Sequence, residues 1–449
     1  MTDAERIEQL EQENRELRRE LESLRRELEE WKRGFRERRK RRTSRGEGKA
    51  RPERKRPGRK AGHAPAQRAA PDHVDQEQAH PTPDVCPHCE GEVEETDEVA
   101  STLEVDIPPV KPLVTRHSTR VGCCKRCQRR VVARLPGASE NGTTVAPVVL
   151  GPNAQSLALT LRFDLKATLG PIGTFMGKWF GVPISPGGLT QMFDRLRERS
   201  WSAIGEIKLA LRASPVVGMD ETGLRQNGAT GWCWLARTDT LSLYHVELSR
   251  GRWVAEGILG EDFGGVLVTD FYAVYTGQGT WLNAFCGAHA IRDAKKLAEV
   301  QPCVETEDFR DRLLAFYEKG EAAAASGDFF ARRGARIQLG HLVNCTDYIS
   351  FPEIVKLQAR LEKYKPGVTR FLDTPEVPWN NNASERDMRI VARYRAVTGG
   401  TRSPSGSASV GHWLSIIQTR RKNGLELGPF LRAINDAHLH QRSPPSVFV

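Results

Sequence analysis

Two short apolar runs in this chain each end in an aspartate: Val216-Val217-Gly218-Met219-Asp220 and Gly264-Gly265-Val266-Leu267-Val268-Thr269-Asp270. In open α/β sheets, sites gather beyond the strand ends. Neighbouring strands stand about 4.7–4.9 Å apart, so carboxylates on adjacent strands can share one cation. A third acid, Glu385, lies in Asn380-Asn381-Asn382-Ala383-Ser384-Glu385-Arg386-Asp387-Met388-Arg389. That stretch reads as an Asn-capped helix whose first turns bring Asn381, Glu385 and Arg389 to one face. Asp220, Asp270 and Glu385 together form a hard, oxygen-only donor set suited to Mg²⁺ or Mn²⁺. An aspartate at a strand end is by itself most often a turn former, so only the set of three is informative. Glu221 is a weaker alternative ligand, because neighbours on a strand point to opposite faces.

A second constellation is made of thiols. Cys86-Pro87-His88-Cys89 and Cys124-Lys125-Arg126-Cys127 are two Cys-x-x-Cys pairs separated by 34 residues. Four thiolates on two knuckles suit a closed tetrahedral structural zinc site held by Cys86, Cys89, Cys124 and Cys127. Cys123 could replace Cys124, and His88 could be a bystander. The plainer reading is two unrelated buried pairs. The cysteine count, nine, is odd, and the N-terminus is charged with no apolar core, which argues against a secreted disulfide framework. No stretch approaches the roughly 18 uninterrupted apolar residues of a membrane span. A cytoplasmic protein is the default.

The elements around these residues are read in chain order. Residues 1–35 carry a heptad seam: Ile7, Asn14, Leu21, Leu28 and Phe35 at one position, Leu10, Leu17, Leu24 and Trp31 three later. Glu13, Glu20 and Glu27 precede Arg18, Arg25 and Lys32 by five residues, and Arg6 and Glu11 repeat the pair with signs reversed. Those pairs attract across a parallel dimer, and Asn14 in the seam favours two strands in register. The coiled coil therefore makes the chain a homo-oligomer; a single amphipathic helix packed on its own protein is the alternative. Residues 36–83 are a basic segment and linker. From Lys32 to Lys60, sixteen Lys or Arg stand against three Glu, a net of +13, which leaves the rest of a +10 chain at −3. So concentrated a block suits a phosphate backbone; a solvated charge run, or a segment for RNA or acidic partners, is the alternative. Residues 84–136 are the metal module.

Residues 146–212 read as helical. Ser185-Pro186 is an N-cap with Pro at the first helical position, followed by Leu189, Met192, Phe193 and Leu196 at helical spacing. The pattern permits a DNA-reading helix-turn-helix, and packing explains it equally well. The period changes at Ser214. Trp232 to Leu235 and Leu241 to Val246 form a hairpin around Thr238-Asp239-Thr240; a helical stretch runs from Trp253 to Leu259. Residues 283–289 are a further strand or a loop into a helix at 290–299, and 304–366 is a helical insertion rich in charge and Ala. The whole is multidomain α/β, with a mixed α/β domain over 213–400 and a helical tail over 401–449.

In this order, these residues resemble the insertion-sequence-66 family of DDE transposases, whose core looks like ribonuclease H. The resemblance covers nearly the whole chain. The heptad helix matches the family's zipper, Arg56-Pro57-Gly58-Arg59-Lys60-Ala61-Gly62-His63 its basic link, and the paired Cys-x-x-Cys its zinc module. Asp220-Glu221-Thr222 matches the first acidic motif. Asp270-Phe271-Tyr272-Ala273-Val274-Tyr275 looks like the second, with Phe271 where Gly is usual. Cys286-Gly287-Ala288-His289 with Arg292 resembles a Cys/His/Arg motif, and Asn381 to Arg386 with Arg389 the third acidic motif, with Asn380 where Asp is common. The resemblance implies a ribonuclease-H-like mixed-sheet core over 213–400 that cleaves DNA ends and transfers strands with two metal ions, without a covalent protein–DNA intermediate. It gives DNA as partner, and related elements often encode small accessory proteins. Cys286 and His289 read as core packing, although His289 could approach a scissile phosphate. The competing readings are a catalytically silent, domesticated dimeric DNA-binding protein and a metal-dependent nuclease without strand transfer; the three acids favour catalysis.

Overall fold

The computed structural model describes residues 69–139, 141–276 and 280–449. They fall into two units, one ending at Asp106 and one spanning Ile107–Val449. The heptad seam and the basic block lie outside the described residues. The unit boundary falls inside the 84–136 segment.

In the first unit the described backbone is mostly irregular, with one tight turn closed by a bridge between Val85 and Glu92. The second unit begins with a two-stranded ribbon, β1 (Gly122–Cys123) and β2 (Arg130–Val131). Four helices follow: α1 (Pro152–Leu159), α2 (Leu169–Phe180), α3 (Pro186–Arg199) and α4 (Trp201–Arg212). α2 stops where Gly181 adopts a left-handed conformation. α3 starts at the expected cap: the Ser185 side chain accepts from Gly188 N at 3.1 Å, and Leu189, Met192, Phe193 and Leu196 are all buried.

The sheet has five strands: β3 (Val216–Gly223), β4 (Trp232–Arg237), β5 (Ser242–Glu247), β6 (Val266–Thr269) and β7 (Leu282–Phe285). Its order is β5-β4-β3-β6-β7. β4 runs antiparallel to both of its neighbours, β3 and β5, while β6 and β7 are parallel to β3. The crossover from β5 to β6 passes through α5 (Arg252–Leu259), and that from β6 to β7 through the short α6 (Ala273–Thr276). α7 (Gly287–Val300) leaves β7 directly.

The insertion forms α8 (Val304–Ser326), α9 (Phe329–Val343), α10 (Pro352–Lys363) and the short α11 (Lys365–Val368). Its apolar faces, including Phe309, Leu313, Phe316, Tyr317 and Leu361, form a core with Val266, Val268, Ala284 and Phe285 of the sheet. α12 (Asn382–Thr398) then returns across β3.

The segment read as a tail forms α13 (Pro404–Lys422) and α14 (Leu427–Leu439), and α13 is buried on nearly every side. It lies along the outer strand β5, whose edge would otherwise present unpaired N–H groups. Ser415 Oγ accepts from Tyr244 N at 2.7 Å, and Thr419 Oγ1 accepts from Ser242 N at 3.0 Å, one helical turn apart. The helix comes so close that a Cβ on Gly411 would meet Tyr244 O at 2.8 Å. Fully buried Trp413 and Leu414 each contribute roughly 2–3 kcal/mol by leaving water.

Candidate active site

β3 is longer than the apolar run suggests. Its pairing with β6 ends at Gly218↔Val268, whereas its pairing with β4 continues to Gly223↔Trp232. Asp220 is therefore mid-strand towards β4 and beyond the ladder towards β6. Two residues on from Gly218↔Val268, the same register sets Asp220 level with Asp270 on the neighbouring parallel strand. Side chains alternate along β3. A Cβ on Gly218 would meet Ser384 Oγ of α12 at 2.6 Å, so Gly218, Asp220 and Thr222 face α12, and this close approach is why glycine stands there.

α12 is pinned to the sheet by its first residues. The Asn381 side chain does not cap the helix. Its Nδ2 donates to Met219 O at 2.8 Å, while Asn380 Oδ1 accepts from Asn382 N at 3.1 Å. The adjacent asparagine takes the cap because Asn381 is spent on β3. Asn381 N donates to Cys286 Sγ at 3.0 Å, which ties α12 to the start of α7. Burial pushes the Cys286 thiol up, so it stays a neutral acceptor. Asn381 is buried and Arg389 exposed, so they do not share a face as expected.

Glu385 projects from the first turn of α12. Its Oε1 lies 3.5 Å from Arg292 Nη2 and 3.7 Å from His289 Nε2, both on α7, yet makes no hydrogen bond. Asp220 Oδ1 accepts from Glu221 N at 2.9 Å, and Asp270 Oδ1 from Tyr272 N at 2.9 Å. Among the described residues no cationic side chain pairs with either aspartate. The Asp220 carboxyl is pushed up to about 7, first by burial and then by the Glu221 carboxylate, with Asp270 and Glu385 adding to it. Asp220 thus feels the charge of both other acids. Among the described residues, no three His, Cys, Asp or Glu side chains are gathered at one metal-binding point; Glu385 is drawn towards α7.

The two acids that could replace them are neutralised. Glu221, with a side chain 2% exposed, receives Arg250 Nε at 3.0 Å and Nη2 at 2.5 Å on Oε1, and the Tyr275 hydroxyl on Oε2. Asp387 receives Arg237 Nε at 3.1 Å and Lys422 Nζ at 2.6 Å. Both therefore carry cationic partners, whereas Asp220 and Asp270 form no ion pair among the described residues.

The thiol pairs fold alike. Cys86 N donates to Gly91 O at 2.8 Å and Glu90 N to Cys86 O at 2.9 Å; Cys124 N donates to Arg129 O at 2.9 Å and Gln128 N to Cys124 O at 2.9 Å. Glu90 and Gln128 both take φ near +60°. Within each turn, backbone N–H groups point at the first sulfur. His88 and then Cys89 lower the Cys86 thiol; Cys127 and then Arg126 lower that of Cys124.

The sheet and its acids define a mixed α/β protein that sets two aspartates, in no ion pair among the described residues, beyond adjacent parallel strands, with a third acid on a covering helix. Residues 147–409, more than half of the chain, match the family described as Transposase IS66, and the chain belongs to that family. It is also 29% identical over 156 residues to the uncharacterized protein y4jO of Sinorhizobium fredii. That alignment covers 33% of this chain and 46% of the relative, so the chain spans less than half of the relative's length. No described helix is long and apolar enough to cross a membrane.

Proposed function

We propose that this chain cuts the DNA ends of an insertion element and joins them to a target, with Asp220, Asp270 and Glu385 holding Mg²⁺ or Mn²⁺. The carrying observation is the contrast in charge. Glu221 and Asp387 form ion pairs, while among the described residues Asp220 and Asp270 form none and accept from backbone N–H groups. Burial resists ionisation of Asp220, and a bound cation would offset that cost. The all-oxygen donor set and the unbonded Glu385 Oε1 fit a hard divalent ion. The ion would supply activation of the attacking oxygen and charge stabilisation at the leaving oxygen. The strand order, with three antiparallel strands followed by two parallel to the first, supports a ribonuclease-H-like core.

The surface beside the acids suits a polyanion. Arg292, 60% exposed, and His289 flank Glu385. On α12, Arg386, Arg389 and Arg393 are exposed at successive turns, spanning roughly 10 Å of helix at 1.5 Å per residue. No acidic side chain among the described residues pairs with them. These arginines offer phosphate contacts leading to Glu385. The seam over 1–35 would pair two chains, the basic block would add non-specific DNA affinity, and Cys86, Cys89, Cys124 and Cys127 would supply thiolates for structural zinc.

A strand-transfer assay with DNA carrying the element's ends tests the reading. Joined products with Mg²⁺ or Mn²⁺ support it. Cleavage without joining would make the chain a nuclease, and binding without either reaction would make it a DNA-binding factor.

A further inference from the structure

The acidic pair is linked from behind by a continuous set of contacts. Asp220 Oδ1 accepts from Glu221 N at 2.9 Å, and Glu221 Oε1 accepts both Nε and Nη2 of Arg250. The Arg250 guanidinium lies 3.9 Å from the ring centroid of Tyr272 and 4.4 Å from that of Trp232. Tyr272 N in turn donates to Asp270 Oδ1 at 2.9 Å. The path thus runs from one carboxylate to the other through Glu221, Arg250 and Tyr272. Tyr275 closes the far side: its hydroxyl reaches Glu221 Oε2, and its ring meets those of Trp234 and Tyr272 edge-on at 6.2 Å.

We propose that Arg250 is a positioning residue, which ties the strand bearing Asp220 to the turn bearing Asp270 and so fixes the spacing of the two acids. The inference rests on the metal-dependent reading of these acids. A planar guanidinium suits the task because it can fork to one carboxylate oxygen and present its faces to rings at the same time. A lysine would keep the charge and lose both the fork and the stack. β3 and β6 are hydrogen-bonded only up to Gly218 and Val268, so the ladder does not itself hold the two acids, which lie beyond it. The clamp supplies the missing restraint.

The test uses the full-length protein, freed of metal, and measures Mn²⁺ binding by isothermal titration, with thermal unfolding as the check on folding. Arg250→Lys and Tyr272→Leu should each weaken Mn²⁺ binding by roughly tenfold or more, the usual effect of disturbing groups that orient metal ligands. Tyr272→Phe keeps the ring face and should bind within about twofold of wild type on the same grounds. Tyr272→Leu also leaves the Arg250–Glu221 pair intact, so it tests the clamp if Arg250→Lys does not fold. Wild-type affinity in both Arg250→Lys and Tyr272→Leu would overturn the proposal while leaving the metal site standing. Absence of Mn²⁺ binding by the wild type, or undiminished binding by Asp220→Asn, would overturn the metal site and the clamp's role with it.

Discussion

Replacing Asp220 by Asn should make the metal-free protein more stable, and increasingly so as pH rises. The Asp220 carboxyl is raised from 3.8 to about 7, with burial as the first cause and the Glu221 carboxylate next. A carboxyl raised on folding favours the folded state when protonated. That stability is complete below about pH 4, is lost as pH climbs through the folded value near 7, and is gone by about pH 8. At about 1.4 kcal/mol per pH unit, the rise is worth about 4 kcal/mol. Asparagine titrates in neither state, so its advantage over wild type should grow by about 4 kcal/mol between pH 4 and pH 8. Urea unfolding in chelator, stepped through that range, reads the difference. Saturating Mn²⁺ should then stabilise the wild type alone, by about 2.7 kcal/mol at a hundredfold excess over its dissociation constant, and so narrow the difference. A wild-type-to-variant difference that does not change with pH would show that Asp220 is not held against its own ionisation, and the electrostatic argument for a cation at this point would fail.

Four further outcomes follow from the same reasoning. Replacing Arg386, Arg389 and Arg393 by Ala should weaken DNA binding regardless of sequence and flatten its salt dependence by about 0.9 for each phosphate no longer neutralised; an unchanged slope removes α12 from the interface. Freshly purified reduced protein should carry about one zinc per chain, removed by Cys124→Ser and by chelation; metal analysis finding none would count against the thiol site. Ser415→Ala should cost about 1–3 kcal/mol by leaving Tyr244 N unsatisfied at the edge of the sheet, measured by chemical unfolding; a neutral result would mean water replaces the hydroxyl. The wild-type chain should sediment as a dimer, and Asn14→Leu should blur the oligomeric state while raising helix stability; a wild-type monomer at high concentration would sink the zipper.

What could be read from the sequence was what is local. Apolar runs ending in Asp220 and Asp270 marked the two strands, and Thr238-Asp239-Thr240 marked the β4–β5 hairpin. Ser185-Pro186 marked the start of α3 because a cap and its helix lie within a few residues. The length of β3 was not readable, because its continuation to Gly223 is decided by pairing with β4 rather than by its own apolarity. The burial of α13 was hidden for a related reason. A helix buried on most sides with Ser407, Ser409, His412, Ser415 and Thr419 among its buried residues lacks the one-sided apolar pattern of a surface helix. The Asn381 side chain is taken by Met219 O, across 162 residues of chain, a partner no local pattern announces. Arg250 carried no signal: its partners Glu221, Trp232 and Tyr272 come together only when the sheet forms. The placement of His289 and Arg292 beside Glu385 likewise depends on α7 and α12 meeting at Cys286.

The central claim is that three acids act as one site on DNA. Asp220→Asn, Asp270→Asn and Glu385→Gln each remove a charge while keeping the shape. The measurement is cleavage and joining of labelled element-end DNA with Mg²⁺ or Mn²⁺, alongside a gel shift on the same samples. Each variant should lose both reactions together, since one set of carboxylates serves both steps, while DNA binding persists through the arginines and the basic segment. Near wild-type cleavage by any one of the three would contradict the claim for that residue, and by all three would remove the site.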